Sequence, residues 1–195
     1  ECDEAYLTKL YDEMNAQFLL VTNLFRDQLD RYGELNSTYK KIDEAINKNK
    51  NLKLFLNADD PMVAKLGNNK ENEVIYYGFK NIIIENNQNY KNLSPKEAIN
   101  CTCGSEYEYS KTFYSHLGHY FCPHCKNKRP KVKYEADCKI DNDCILINLD
   151  DKTFKSNLTG TYNAYNLLGA ICVGLELDID EKIIQKALDN YNAVF

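Results

Sequence analysis

The sequence has no apolar run approaching the roughly 20 residues that a membrane-crossing helix needs, and no stretch of it reads as a secretory signal. It has no excess of positive charge either. A net charge of −5 argues against a general electrostatic grip on nucleic acid. None of its eight glycines begins Gly-x-x-x-x-Gly-Lys-Ser/Thr, so the phosphate-cradling loop of many nucleotide-binding proteins does not occur in these residues. The chain also lacks an initiating Met, opening on Glu1 without a lead-in to its first element, which suggests a piece of a longer protein.

What is present is ordinary for a globular domain: 195 residues, 44% hydrophobic and 27% charged, enough for one domain or one domain carrying an insertion. The eight cysteines are unevenly spaced, and four of them cluster as two close pairs. That pattern fits a metal site in a reducing cytosol better than a disulfide framework. A local basic run, Lys126, Lys128, Arg129, Lys131 and Lys133, reads as a solvated face.

The continuous apolar residues of Phe18 to Val21 suit a strand covered on both faces in a parallel sheet. Thr22 and Asn23 follow at once, and ligands of open α/β sheets sit just beyond the carboxyl ends of strands. Upstream, Ala5 to Met14 reads as a helix, and the acids Glu1, Asp3 and Glu4 suit either Mg²⁺ or a helix N-terminus. Downstream, Tyr39, Ile42, Ala45 and Ile46 form a helical stripe within Ser37 to Lys48. Leu52 to Leu56 is a short buried strand ending in Asn57-Ala58-Asp59-Asp60-Pro61, where Asp59 and Asp60 are expected to be structural caps at the sheet edge. Val74 to Phe79 and Ile82 to Ile84 read as two further strands. Strands alternating with helices imply an α/β fold, a mostly parallel sheet with helices on both faces.

A polar, asparagine-rich stretch from Asn86 to Asn92 leads into an insertion. There Cys101-x-Cys103 and Cys122-x-x-Cys125 each adjoin a turn residue, Gly104 and Pro123. Two thiolate pairs brought together by a hairpin give the tetrahedral sulfur site that Zn²⁺ favours, hence a structural zinc ribbon over residues 99–132. A four-cysteine iron–sulfur cluster is the alternative. A closed shell leaves no open position for water, so the metal is expected to fold the insertion rather than catalyse. His116, His119 and His124 lie nearby and are expected at the surface.

Tyr134 to Ile140 and Cys144 to Leu149 read as an antiparallel pair turning at Asp141, Asn142 and Asp143, with Cys138 and Cys144 as small buried side chains. Gly160 to Leu175 is helical, with Tyr165, Leu168, Ala170, Ile171 and Leu175 available for packing. Asn163 and Asn166 share a face near its start, where amides could read a nucleobase edge or simply bond locally. A last helix spans Ile179 to Tyr191.

Four segments together resemble the central domain of the Mur ligase superfamily: Glu1-Cys-Asp-Glu4, Thr22 to Asp30, Asn57 to Pro61, and Gly160 to Asn166. Gln28 and the four-cysteine insertion are similar to those ligase subunits that work on lipid II with a GatD-like glutamine amidotransferase. The resemblance implies an ATP-dependent amide ligase of peptidoglycan synthesis, acting in the cytoplasm at the inner membrane face. It would convert the D-glutamate α-carboxylate of the stem peptide to an acyl phosphate and then, with ammonia from the partner, to D-isoglutamine. It further implies that Glu1 holds Mg²⁺, that Thr22 and Asn23 line the phosphate and acyl-phosphate region, and that Asn163 and Asn166 contact the adenine of ATP. Two alternatives stay open: an amino-acid-adding ligase of the same superfamily, folylpolyglutamate-synthase-like for example, and a zinc-ribbon binding module on an inert scaffold. The family's phosphate loop would precede Glu1, and a further domain would follow Phe195.

Many family members place a metal-binding histidine where this sequence has Gln28, and a carbamylated lysine further on where it has Ile42. A neutral amide is a far weaker metal ligand than imidazole. Gln28→His in the full-length protein is therefore expected to raise the number of bound metal ions and change the rate. Unchanged metal stoichiometry and rate would remove this position from the control of the metal site.

Overall fold

The computed structural model describes Leu7 and residues 16–25, 34–85 and 100–191. Eight strands and four helices can be followed in these residues: β1 (Phe18–Val21), α1 (Glu34–Lys48), β2 (Lys53–Asn57), α2 (Pro61–Lys65), β3 (Val74–Ile84), β4 (Glu108–Tyr114), β5 (Leu117–Phe121), β6 (Tyr134–Ile140), β7 (Ile145–Leu149), β8 (Lys152–Ser156), α3 (Thr161–Glu176) and α4 (Glu181–Asn190). Six strands form one sheet in the order β1-β2-β3-β6-β7-β8, while β4 and β5 make a separate two-stranded sheet. The pairings from β1 to β6 are parallel, and β6-β7 and β7-β8 are antiparallel. The α/β architecture expected from the sequence is thus present, with an antiparallel edge on a parallel sheet.

Strand alternation sorts apolar side chains onto two faces. Phe55, Ile75, Tyr77, Phe79, Ala136, Cys138 and Ile147 face a core completed by Ala164, Tyr165, Leu168 and Ile171 of α3. Leu54, Leu56 and Val21 face the other side, with Ile42, Ala45 and Ile46 of α1 and Val63 of α2. Successive residues of β1 divide the same way, Phe18 and Leu20 against the first cluster and Leu19 and Val21 in the second. That explains its unbroken apolar run. Ile42 is only 5% exposed within this second cluster, where a charged side chain would have no solvation.

Several expectations change. Val74–Phe79 and Ile82–Ile84 are one strand, β3, with a bulge between Phe79 and Asn81 that the sequence reads as a break. No helix separates β3 from β6 among the described residues; the β4–β5 hairpin occupies that crossover. Strand β8 was not expected, because Lys152–Ser156 alternates polar residues with only Phe154 and Ser156 buried. Ala170 is exposed, and Gly169 and Cys172 take its expected place in the core of α3. Helix α4 is shorter than Ile179 to Tyr191 at both ends, since Asp180 caps it through the Lys182 amide. The Ala5–Met14 helix lies outside the described residues except for Leu7.

At the amino end of the parallel strands, Glu176 of α3 receives Lys53 at 2.8 Å, Lys133, and the Tyr134 hydroxyl. Burial alone would raise its carboxyl, but the Lys133, Lys53 and Tyr134 hydrogen bonds outweigh it and hold it down at about 2, from an ordinary 4.5. A depressed carboxyl contributes stability that is complete above its unfolded value and is lost as pH falls from there toward about 2. Water screening at the half-exposed Lys133 limits the contribution to on the order of 1–2 kcal/mol. In acid titrations of unfolding free energy, Glu176→Gln is expected to flatten the curve between about pH 5 and pH 2. Superimposable curves would exclude this cluster as a source of acid lability.

Candidate functional site

Strand register builds a step into the carboxyl edge of the sheet. Val21 closes β1 opposite Leu56, and Asn57 closes β2 opposite Tyr77, but β3 continues to Ile84. Beyond Tyr77 the side of β3 facing β2 has no strand neighbour, so its peptide groups need other partners. They find them in side chains. The Phe79 amide donates to Asp59 Oδ2 at 2.9 Å, and the Phe79 carbonyl accepts from His119 Nε2 at 2.7 Å and Arg129 Nη2 at 3.2 Å. At the bulge, Lys111 Nζ reaches the Lys80 carbonyl at 2.9 Å and Asn81 Oδ1 at 2.7 Å.

Asp59 is fully buried and is not the cap expected of it. Its Oδ1 accepts from Arg129 Nε at 2.6 Å, its Oδ2 from the Tyr165 hydroxyl at 3.0 Å, and its carbonyl from the Gly118 amide at 2.9 Å. Burial pushes the Asp59 carboxyl up, while Arg129, the Phe79 amide and the Tyr165 hydroxyl pull against it. Burial would lower the guanidinium, but Asp59 and Glu135 raise it. Gly78 is required here: a Cβ would lie 2.6 Å from Asp59 Oδ1 and 2.7 Å from Arg129 Nη2. Arg129 therefore leaves the solvated basic face assigned to it, whereas Lys126, Lys128 and Lys131 stay exposed.

Asp60 is the cap, as the Asp-Pro pair predicts, its Oδ1 accepting from the Met62 and Val63 amides at the start of α2. Its other oxygen takes the Leu24 amide at 2.8 Å, and Asn57 Nδ2 donates to the Thr22 carbonyl at 2.7 Å. The segment carrying Thr22 and Asn23 is thus fastened from below by the end of β2, and both side chains remain half-buried. His116, expected at the surface, is 1% exposed and stands with Nε2 3.3 Å from Asp60 Oδ2. His124 is exposed as expected, and His119 is half-buried.

Helix α3 starts over the same edge, tied down by Tyr165 to Asp59. Gly160 precedes it with φ of +89°, a left-handed conformation that favours glycine. Asn163 donates to the Thr159 carbonyl at 2.7 Å, a local bond that leaves its amide oxygen to accept, and Asn166 is exposed. Glu1 and Gln28 lie outside the described residues.

The two cysteine pairs meet. The four Sγ atoms of Cys101, Cys103, Cys122 and Cys125 all lie within 4.8 Å of one another, with 3.4 Å between Cys101 and Cys125. A tetrahedral ion with metal–sulfur bonds of about 2.3 Å needs sulfur separations of about 3.8 Å, so the cage could hold one. Proton sharing argues the same way. The Ser105 amide holds the Cys103 thiol down at about 5. Cys125 is pushed up to about 12, because the neighbouring sulfurs outweigh the Asn127 amide. Thiols so close cannot all lose their protons unless a cation lies between them. Cys138, Cys144 and Cys172 are buried elsewhere, the first two as expected.

Residues 3–174 match the profile of the Mur ligase middle domain. The chain belongs to the Mur ligase family. Curated relatives of this Mur ligase domain include the lipid II isoglutaminyl synthase (glutamine-hydrolyzing) subunit MurT of Staphylococcus aureus, 34% identical over 99% of this chain. MurT of Streptococcus pneumoniae is 32% identical over 100%. The chain spans 43% of the length of each. Among solved structures, a pseudomurein peptide ligase type C from Methanothermus fervidus superposes with TM-score 0.74 and 29% identity, covering 96% of this chain and 36% of that one. MurF from Acinetobacter baumannii, at TM-score 0.57 and 10% identity over 100% of this chain and 32% of its own, shares the fold. No helix among the described residues is long and apolar enough to cross a membrane.

Ordered motifs made the edge of this Mur ligase sheet legible in the sequence, but not the Asp59, Arg129 and His116 contacts. Arg129 was hidden in a basic run and His116 near four thiols that needed no further ligand. The doubled acid at the end of β2 was their one visible sign. For the cage, titration with Co²⁺ as an optical probe is expected to saturate at one thiolate-bound ion per chain. Cys103→Ser should weaken binding by at least about tenfold and lower the melting temperature of the loaded protein. Binding unchanged by Cys103→Ser and by Cys125→Ser would refute a four-sulfur site.

Proposed function

We propose that this domain is the nucleotide-binding core of a MurT-like ligase subunit that amidates the D-glutamate α-carboxylate of the lipid II stem peptide. The supporting observation is its similarity to two MurT subunits across essentially its whole length. In this reading residues 99–132 are an inserted zinc ribbon, with Zn²⁺ held by Cys101, Cys103, Cys122 and Cys125. The subunit works in the cytoplasm beside a GatD-like glutamine amidotransferase.

The carboxyl edge suits that chemistry. Thr22 and Asn23 line the side where the γ-phosphoryl group of ATP passes to a carboxylate oxygen, releasing ADP and forming an acyl phosphate. Ammonia from the partner attacks the acyl carbon, phosphate departs with the cleaved C–O bond, and a proton is lost to water. Glu1 would help to hold Mg²⁺, which would supply charge neutralisation for the transferring phosphoryl oxygens. The residues of the chain bind and orient: polar groups at Thr22 and Asn23 stabilise developing charge, and Asn163 and Asn166 offer amides to the adenine edge. The step requires no strong base, which accords with an edge whose acids Asp59 and Asp60 are committed to internal partners.

A second reading has one observation in its favour, the 29% identity to a pseudomurein peptide ligase. An amino-acid-adding ligase would use the same acyl phosphate with an amino acid as nucleophile. The full-length protein, assayed with its glutaminase partner, ATP, glutamine and lipid II, is expected to form D-isoglutamine and ADP in equal amounts. Ammonium salts should replace glutamine, and Thr22→Ala should lower turnover by on the order of 10²-fold. Incorporation of an amino acid, with no product from ammonium, would overturn the amidation reading in favour of the second.

A further inference from the structure

The hairpin of the insertion does more than enclose four sulfurs. Its turn, between Tyr114 and Leu117, reaches the segment that follows β1. The Phe25 ring lies 4.9 Å from the His116 ring and 5.7 Å from that of Tyr114. Nε2 of His116 approaches Asp60 Oδ2, the same oxygen that holds the Leu24 amide. His116 thus touches the segment at two points, through Phe25 and through the carboxylate that fixes Leu24.

The hairpin is itself firmly seated. Gly118 bonds to the Asp59 carbonyl, His119 and Arg129 to Phe79, and Lys111 to the bulge of β3, while Tyr109 donates to the His116 carbonyl at 2.9 Å. These contacts anchor it to β2 and β3 on one side, leaving its turn against Leu24 and Phe25 on the other. The segment that carries Thr22 and Asn23 is held by Asn57 at the Thr22 carbonyl and, two residues further on, by the hairpin turn through Asp60 and Phe25. His116 Nε2 is also the one buried side-chain nitrogen or oxygen among the described residues without a hydrogen-bond partner, so its alignment with Asp60 is short of ideal. Burying an imidazole there has a cost that the packing on Phe25 and the charge of Asp60 must offset.

We propose that the hairpin of the four-cysteine insertion positions the Thr22–Asn23 lip, and that His116 is the positioning residue through which it acts. The placement of the lip follows from geometry alone; its consequence for ATP rests on the function proposed above. His116 does not touch the reacting groups. It fixes the backbone that presents them.

The experiment uses the full-length protein with its partner and compares wild type, His116→Ala, His116→Gln and Phe25→Leu by amide hydrogen exchange and by steady-state kinetics. In His116→Ala, exchange at residues 21–25 should accelerate about tenfold, with metal content and exchange in residues 100–107 unchanged. The KM for ATP should rise about three- to tenfold with a smaller change in kcat. His116→Gln, whose side-chain amide can donate to Asp60, should recover part of the protection, and Phe25→Leu should lose part of it. Should His116→Ala fail to fold, the Gln and Leu variants carry the test. Unchanged exchange at residues 21–25 in every folded variant would overturn the proposal. Faster exchange with an unchanged KM for ATP would uphold the positioning role and refute the reading of this lip as an ATP-binding edge.

Discussion

A carboxylate removed from water must be met by donors, and the carboxyl edge of this sheet is arranged around one such group, Asp59. It joins four parts of the chain: the end of β2, the continuing edge of β3 through Phe79, the helix α3 through Tyr165, and the insertion through Arg129. Each contact removes an unsatisfied polar group from the others. Without Arg129 the buried charge would be uncompensated, a loss of about 3–5 kcal/mol in comparable buried pairs. Without Asp59 the Phe79 amide would face the step in the sheet with nothing to accept it. The step, the hairpin seated on it and the helix start above it are one arrangement seen from different sides.

That arrangement changes the status of the insertion. A metal held by four cysteines can supply the folding energy that a small core cannot. Here the hairpin also completes the hydrogen bonding of β3 at its bulge. Bulges leave backbone groups unpaired and are common beside functional sites. The Lys80 and Phe79 carbonyls at this one are taken by Lys111, His119 and Arg129.

What could be read from the sequence follows from the range of each interaction. Local rules located β1, α1, β2 and the Asp60 cap, because an apolar run, a helical stripe and an Asp-Pro pair each act within a few residues. They located the cysteine pairs for the same reason. They divided β3 in two because Lys80 and Asn81 look like a break, whereas a bulge keeps both halves in one ladder. They missed β8, whose pairing with β7 rather than its own pattern makes it a strand. Along the carboxyl edge, the places of Thr22 and Asn23 after β1 and of Asn163 and Asn166 in the first turns of α3 were visible because each is set by its own element. Arg129 and His116 owe their places to partners distant along the chain, and spacing carries no trace of that.

The separation of these partners also has a kinetic side. Arg129 lies 70 residues from Asp59, and Tyr165 lies 106. Thiols at 101–125, by contrast, close over a short loop. Loop-closure entropy favours the metal cage as an early, local event and delays the convergence on Asp59 until β3, the insertion and α3 have all assembled. Burying this carboxylate therefore requires segments 70 and 106 residues away along the chain to meet at one point.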